Sequence, residues 1–296
     1  MRAGRAWIAK AARRACPSRR LVATLAIRQA CPRLPSPMPT AFPRRTDAAP
    51  RIRVGCAGWS IASTQRGLVG DGASQLARYA TRFDAVEINS TFYRAHRAST
   101  YQRWADSVPT HFRFSAKLPR TITHDARLSR VGPLLQTFLD EVGHLGDRLG
   151  CLLVRLPPSL AFDARTAATF FAMLRRRWHR GIACEPRHAS WFSARAEALW
   201  QRHHIARVTT DPALTATAAQ PAGAAPAYWR WHGAPRLYYS AYADATLRNL
   251  AERVLATTPH PHEAWVIFDN TALGHALDNA ATLQAQLRAL GVGAAD

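Results

Sequence analysis

The stretch AVEINS, residues 85–90, predicts a β-strand with one apolar and one polar face. Val86 and Ile88 share one face of a strand, and Glu87 and Asn89 share the other, because successive side chains of a strand point to opposite faces. An apolar face suits a core. A carboxylate and an amide on the opposite face indicate that this second face lines a site.

Seven other short apolar runs accompany this stretch and alternate with segments of helical periodicity. In order the eight runs are IRVGCAG (52–58), AVEINS (85–90), FRFSAKLP (112–119), GCLLVRLP (150–157), GIACEP (181–186), IARVTTD (205–211), AYWRWHG (227–233) and AWVIFDN (264–270). Strands separated by helices pair in parallel through right-handed crossovers. Eight of them predict an α/β fold, a TIM-type (β/α)8 barrel, as a single domain over residues 51–296.

Three features refine this prediction. An open doubly wound sheet is the alternative, but GCAGWS after the first strand is not the glycine-rich fingerprint of a dinucleotide-binding fold. Asp163 is placed to cap the helix that follows the fourth strand. The link PALTATAAQPAGAAP, residues 212–226, is rich in Ala, Pro and Gly, so the helix after strand six is expected to be irregular or missing.

The positive charge of the chain is unevenly distributed. The formal net charge is +21, and residues 1–37 contribute +9 of it, which leaves +12 for the rest. Lysine occurs only at Lys10 and Lys117, so the excess is almost entirely Arg and reflects a compositional bias in part. A basic body still attracts anionic partners, either an anionic small molecule or nucleic acid.

The N-terminal region and the cysteines bear on processing and location. Residues 1–50 are interpreted as a disordered or misassigned extension, with Met38 as an alternative start. LVATLAI (21–27) is too short to span a bilayer, so no membrane partner is expected. The five cysteines include no CxxC pair, which predicts a reducing, cytoplasmic location.

Unusual polar residues fall where the predicted strands end. In a barrel of this kind functional groups collect at the C-terminal ends of the strands. The predicted mouth therefore contains Trp59, Glu87, Asn89, Lys117, Glu185, Arg187, His188, Asp211, Arg230, His232, Asp269 and Asn270. These residues would gather four carboxylates beside several cations.

Structural explanations compete with the functional ones. Glu87 can form an interior ion pair with Arg113 or Arg155, and Asp211 can simply begin a turn at Pro212. Arg230 can be a stacked cation between its two neighbouring tryptophans. His232 can cap the end of its strand.

Several motifs occur in the order found in the YecE-like family (domain of unknown function 72), which the chain resembles from about residue 52 to 288. They are GCAGWS, FDAVEINSTFYR, RFSAKLPRTITH, LGCLLVRLPPS, EPRHASW, WRWHG and FDNTALGHALDNA. The resemblance implies a TIM-type barrel, similar at fold level to the endonuclease IV and xylose isomerase barrels. It adds Tyr93, Arg120 and His124 to the predicted substrate-binding residues.

The chain departs from the family pattern in one loop. The family usually follows GWS with Tyr and a further Trp, and GWSIASTQRG here has neither. Because this loop follows the first strand, the fit of the substrate is expected to differ.

Two functional hypotheses follow. The first is a hydrolase for an anionic, for example phosphodiester, substrate, with catalytic residues Glu87, Lys117, Glu185, His232 and Asp269. In this hypothesis Glu185 is the base, His232 the acid, and Lys117 with Arg187 the anion clamp. A divalent metal is a less favoured cofactor, because few histidines are available as ligands. The second is a non-catalytic protein that binds nucleic acid or an anionic metabolite, using charge and aromatic stacking.

Overall fold

The computed structural model describes residues 51–223, 226–258 and 263–292, and the predicted extension over residues 1–50 lies outside them. All eight predicted strands are found, the sixth in two pieces. In chain order the strands are β1 (Arg51–Cys56), β2 (Ala85–Ile88), β3 (Arg113–Lys117), β4 (Leu149–Arg155), β5 (Gly181–Glu185), β6 (Ala206–Arg207), β7 (Thr209–Asp211), β8 (Ala222–Gly223), β9 (Ala227–Trp231) and β10 (Glu263–Phe268).

Helices follow most of the strands. They are α1 (Gln75–Tyr79), α2 (Ala98–Asp106), α3 (Gly132–Val142), α4 (Ala164–Arg177), α5 (Ala194–Arg202), α6 (Asp244–Thr257) and α7 (His275–Ala289). Asp163 caps α4 as predicted, since its Oδ1 accepts a hydrogen bond of 2.8 Å from the Thr166 amide. None of the helices in the described residues is long and apolar enough to cross a membrane.

The strands lie in two sheets that are joined at two places. Their orders are β1–β10–β9–β7 and β2–β3–β4–β5–β6–β8. The sixth predicted strand makes the first join, because its half β6 pairs with β5 and its half β7 pairs with β9. A parallel bridge between Ala57 and Glu87 makes the second join, from β1 to β2. The parallel strands thus follow one another round the predicted TIM-type α/β fold.

The join between β1 and β2 depends on one buried tyrosine. Tyr79 Oη accepts a hydrogen bond from the Cys56 amide and donates one to the Ala85 carbonyl, both at 2.9 Å. A side chain therefore satisfies backbone groups that a regular ladder would pair. Gly55 allows the close approach, since a Cβ there would lie 2.0 Å from the Ala85 oxygen.

The link after the sixth strand has little regular structure, as predicted. Between Pro212 and Pro226, the described residues form one short 3₁₀ turn at Thr217–Ala219 and the strand β8. β8 was not predicted; it pairs antiparallel with β6.

The inner face of the strands changes from apolar to charged along the barrel axis. A large outer core lies between strands and helices, and a smaller core fills the barrel. The smaller core consists of Ala57, Ala85, Cys151, Leu153, Ala183, Ala206, Val208, Tyr228, Trp265 and Ile267. The next inward residue after Ala85, Ala183, Tyr228 and Ile267 is Glu87, Glu185, Arg230 and Asp269 respectively, because inward positions recur every two residues. The apolar core is thus a floor under four charged side chains.

Candidate active site at the carboxyl ends of the strands

Arg230 lies at the centre of the charged layer and is fully buried. Its Nε and Nη2 donate to the two carboxylate oxygens of Glu87 at 3.0 and 2.8 Å. Nη1 donates to Glu185 Oε2 at 2.6 Å, and Nη2 also donates to Asp269 Oδ2 at 2.9 Å. Burial by itself lowers the pKa of Arg230, but the three carboxylates more than compensate and raise it well above its usual value. The guanidinium is therefore permanently charged and binds strands β2, β5, β9 and the end of β10 together.

Glu87 is anchored by a second residue of β9. Tyr228 Oη donates to Glu87 Oε2 at 3.0 Å and lies 2.6 Å from Ser115 Oγ. Glu87 therefore forms an interior ion pair, as the structural explanation held, but both predicted partners were wrong. Its partner is Arg230, whereas Arg155 pairs with Glu185. Arg113 donates to the backbone carbonyls of Thr110 and Phe112 at the start of β3.

His232 lies between two carboxylates and is fully buried. Its Nδ1 is 3.0 Å from Asp269 Oδ2, and its Nε2 is 3.3 Å from Glu185 Oε1. The second contact is close enough for an ion pair but is not aligned as a hydrogen bond. Burial by itself lowers the pKa of His232, and the two carboxylates outweigh it, so that the pKa is raised. We call Glu87, Glu185, Arg230, His232 and Asp269 the mouth cluster.

The pKa values of the two acidic neighbours of His232 are shifted in the opposite direction. Burial by itself would raise the pKa of Glu185, yet Arg230 and His232 hold it well below its usual value. The pKa of Asp269 is lowered for the same reason, chiefly by Arg230. Both carboxylates are therefore ionised at neutral pH.

Two further arginines approach Glu185 from the open side of the mouth. Arg155 Nε and Arg187 Nη1 each donate to Glu185 Oε1 at 3.3 Å. Their side chains are 19% and 17% exposed, whereas Glu185 is fully buried. The outer surface of the mouth cluster is therefore cationic.

Lys117 adds another cation beside the cluster. Its Nζ donates to Asn89 Oδ1 at 2.8 Å and lies 4.2 Å from the centre of the Phe92 ring. Burial and the nearby Arg230 lower its pKa to about 8. Lys117 is therefore mostly charged at pH 7 and titrates just above it.

Three predicted residues lie outside the mouth cluster, on the neighbouring loops. Tyr93 is 72% exposed, and Arg120 forms an exposed ion pair with Asp125 at 3.1 Å. His124 packs edge-on against the Phe92 ring. Burial, Arg155 and Lys117 lower its pKa to about 4, so its ring is neutral at pH 7.

Asp211 was expected in the mouth and does not lie there. The register pairs Thr210 with Arg230, which makes Thr210 the inward residue of β7. Asp211 consequently points to the other face, where its Oδ2 accepts a hydrogen bond of 2.7 Å from Tyr242. The mouth has three carboxylates instead of four.

Trp59, His188 and Asn270 also make contacts outside the mouth cluster. Trp59 packs edge-on against Trp104 of α2. His188 caps the short 3₁₀ helix that follows it, with Nδ1 3.2 Å from the Ser190 amide. Asn270 donates to Ser240 and Asn279, which ties the loop after β10 to the segment before α6.

The stacked-cation explanation for Arg230 is wrong for a simple reason. Trp229 and Trp231 occupy alternate positions of β9, so they point to the outer core. There Trp229 contacts Arg253 and Trp231 packs against Tyr242.

Tyr228 and Tyr238 were missed as site residues, and Arg155, which lies near the end of the fourth predicted strand, was not predicted to bind substrate. Alternation could have found Tyr228, since it precedes Arg230 by two residues on one strand. Tyr238 lies in an irregular loop, where sequence periodicity gives no signal.

The mouth cluster has no arrangement typical of a metal centre. Within residues 51–223, 226–258 and 263–292, no group of three or more His, Cys, Asp or Glu side chains is placed to hold a metal ion. The three carboxylates that face one another are already bound to the Arg230 guanidinium.

Fold and site together define the class: a TIM-type barrel with a buried, arginine-centred charge cluster at the carboxyl ends of its strands. The family described as "Protein of unknown function DUF72" matches residues 53–294. The chain belongs to this family.

Individual relatives agree with this assignment. UPF0759 protein YecE of Escherichia coli K12 is 35% identical over 86 residues, which are 29% of this chain and 32% of that protein. The match thus spans about a third of the curated relative.

Solved structures of the same family share the fold. A DUF72 family protein from Thermotoga maritima has a TM-score of 0.66 and 22% identity, covering 80% of this chain and 99% of that chain. One from Enterococcus faecalis has a TM-score of 0.65 and 21% identity, covering 80% and 95%. At these identities the likeness concerns the fold alone.

Proposed function

We propose that the protein is a hydrolase whose mouth binds an anionic substrate. The observation that carries the proposal is an excess of positive charge on a buried site. Three carboxylates, Glu87, Glu185 and Asp269, face five cationic groups. Four are Lys117, Arg155, Arg187 and Arg230, and the fifth is His232 in its protonated form, which its raised pKa favours. An anion would complete the charge balance in a site where burial strengthens electrostatic attraction.

Three of these cations have donors to spare. Among the described residues, Lys117 Nζ donates only to Asn89, and Arg187 donates only to Glu185. Arg155 lies on the same side and is partly exposed. We assign Lys117, Arg155 and Arg187 as the anion-binding groups, since charge-assisted hydrogen bonds to phosphate or carboxylate oxygens are the strongest such groups make.

His232 is the best placed proton donor. As an imidazolium oriented by Asp269 it can give a proton to a leaving group. Glu185 is a weak base, because Arg230, His232 and Arg155 hold its pKa well below its usual value, and Arg187 also binds its carboxylate. We therefore assign Glu185 to hold His232 and the arginines in place rather than to accept a proton.

Hydrolysis of bis(p-nitrophenyl) phosphate and of p-nitrophenyl phosphate tests the proposal. We expect turnover by the native protein and a loss of about 100-fold or more in the His232→Asn variant, the usual scale for a general acid. His111→Asn is the matched control, because His111 lies before β3 at the opposite end of the barrel, and it should retain full activity.

Activity that survives unchanged in His232→Asn would contradict the role of His232. Sulfate binding without turnover of either ester would contradict the hydrolase and favour a binding protein.

The alternative of a non-catalytic nucleic-acid binder draws on one observation. Tyr93 is highly exposed beside the exposed Arg94, which offers a stacking surface next to a cation. A binder of this kind would lose affinity for a single-stranded oligonucleotide steeply with salt and would need Tyr93. The buried position of the mouth cluster favours a small anion instead.

A further inference from the structure

The loop between β9 and α6 carries Tyr238 over the mouth cluster. Tyr238 has a φ of +69°, a left-handed conformation that residues other than glycine rarely adopt. Backbone hydrogen bonds hold it there: its amide donates to the His232 carbonyl, and its carbonyl accepts from the Ala272 amide. The surrounding structure therefore fixes the backbone of this residue, from which the side chain projects.

The Tyr238 side chain contacts residues at the ends of two strands that are not neighbours, β9 and β4. Its ring lies edge-on to His232, with centroids 5.8 Å apart. Its hydroxyl accepts a hydrogen bond of 3.2 Å from Arg155 Nη2. Arg155 ends β4, which is separated from β9 by β5 and the β6–β7 strand. One residue thus covers the proton donor and engages one of the anion-binding groups.

A phenol is a weak partner for this arginine. Arg155 already donates to Glu185 through Nε, and the acceptor of its Nη2 is a neutral oxygen, the Tyr238 hydroxyl. A phosphate or carboxylate oxygen is a stronger acceptor, and it can bind a guanidinium through two parallel hydrogen bonds.

We propose that Tyr238 is a gate: its hydroxyl holds the place of a substrate's anionic oxygen on Arg155, and its ring covers His232 until substrate displaces it. The inference rests on the proposed function, because it presumes that an anion enters the mouth. It adds Tyr238 as a residue that controls access of the ligand to Arg155 and His232.

Sulfate binding measured by calorimetry tests the gate. Tyr238→Phe keeps the ring and removes the competing hydroxyl, so we expect sulfate to bind about threefold to tenfold more tightly, the scale of one hydrogen bond. Tyr239→Phe is the matched control. Tyr239 is the adjacent tyrosine, is 38% exposed and contacts Arg236, and its variant should bind sulfate like the native protein.

A double-mutant cycle identifies the partner. In an Arg155→Met background the Tyr238→Phe change should alter sulfate affinity by less than about twofold, because the competition for Nη2 no longer exists. An equal gain in both backgrounds would show that the hydroxyl acts elsewhere and would overturn the gate.

The failures of the two proposals are distinguishable. One outcome contradicts the gate alone: native protein binds sulfate, Arg187→Met weakens the binding, and Tyr238→Phe does not strengthen it. In that case the anion site stands. If neither native protein nor Tyr238→Phe binds sulfate, the proposed function and the gate both fail.

Discussion

A buried arginine lies at each end of the barrel, and the two differ in what surrounds them. Arg53, on β1, is 1% exposed, pairs with Glu263, and donates to Asp84 Oδ2 and the His111 carbonyl, both at 3.2 Å. Arg230, at the opposite end, binds three carboxylates between 2.6 and 3.0 Å. Both guanidiniums connect strands that are distant in sequence.

The partners of the two arginines differ in their access to water. The side chains of Asp84 and Glu263 are 22% and 32% exposed. Those of Glu87 and Glu185 are fully buried. A carboxylate that reaches water is hydrated when its arginine is lost, whereas a fully buried one is not.

The two ends also differ in what remains available for a ligand. Arg53 is enclosed by its acids and backbone carbonyls, and it contacts the Trp265 ring. Around Arg230 a second set of cations, Lys117, Arg155 and Arg187, has donors to spare among the described residues. A buried charge network can thus close one end of a barrel, whereas the same kind of network with additional cations provides a candidate anion site at the other end.

The largest expected effect is on stability, when each of the two arginines is replaced by methionine. Arg230→Met should cost about 3–5 kcal/mol in the free energy of unfolding or prevent folding, because three buried carboxylates lose their shared cation. Arg53→Met should cost about 1–3 kcal/mol, since Asp84 and Glu263 can still be hydrated. Urea unfolding measures both. An equal or larger loss of stability in Arg53→Met would contradict the proposed difference between the two ends of the barrel.

The pH dependence of stability tests whether His232 in the mouth cluster is charged. The pKa of His232 is raised above its ordinary value of 6.5, so its contribution to stability is complete below about pH 6.5 and is lost as pH rises through the folded-state pKa. The difference in the free energy of unfolding between native protein and His232→Gln should therefore shrink as pH rises above about 6.5, by at most about 1.4 kcal/mol per pH unit. Urea unfolding of both proteins from about pH 6 to 9 measures it.

Lys117 titrates in both of these proteins, so its effect largely cancels in the difference. A difference between native and His232→Gln protein that stays constant with pH would argue against a charged His232.

The smallest expected effect concerns Lys117 and ligand binding. Its pKa of about 8 means that sulfate affinity should begin to fall above pH 8, by at most about tenfold per pH unit for one lost charge. Sulfate carries the same charge throughout this range. Lys117→Met should bind more weakly and show a flatter profile in calorimetry. A native profile that stays flat above pH 8 would remove Lys117 from the anion site.

Most of the fold was predictable from the amino-acid sequence, because strands and helix caps are specified by residues close together in the chain. Strand runs of four to eight residues with alternating faces located β1 to β5, β9 and β10, and the Asp163 cap marked the start of α4. Glu87, Glu185, Arg230, His232 and Asp269 were predicted to share one mouth, and the structure brings them together. Parity along each strand is a local property, so it survives folding.

Other predictions failed where the answer depends on a neighbouring strand. Asp211 was assigned to the mouth by its position at the end of the sixth strand, but the register with β9 turns Thr210 inward. Nothing in the sequence states that register, because the strand is divided at Val208 and pairs with two different neighbours.

The local pattern of residues specifies which side chains alternate, where strands end, and that charged side chains follow apolar ones on the inner face. The three-dimensional arrangement was needed to show that Arg230 is the shared partner of three carboxylates and that Tyr238 accepts a hydrogen bond from Arg155. The physical reason is that alternation depends on the geometry of one strand, whereas ion pairing depends on the register of strands that are distant in the chain.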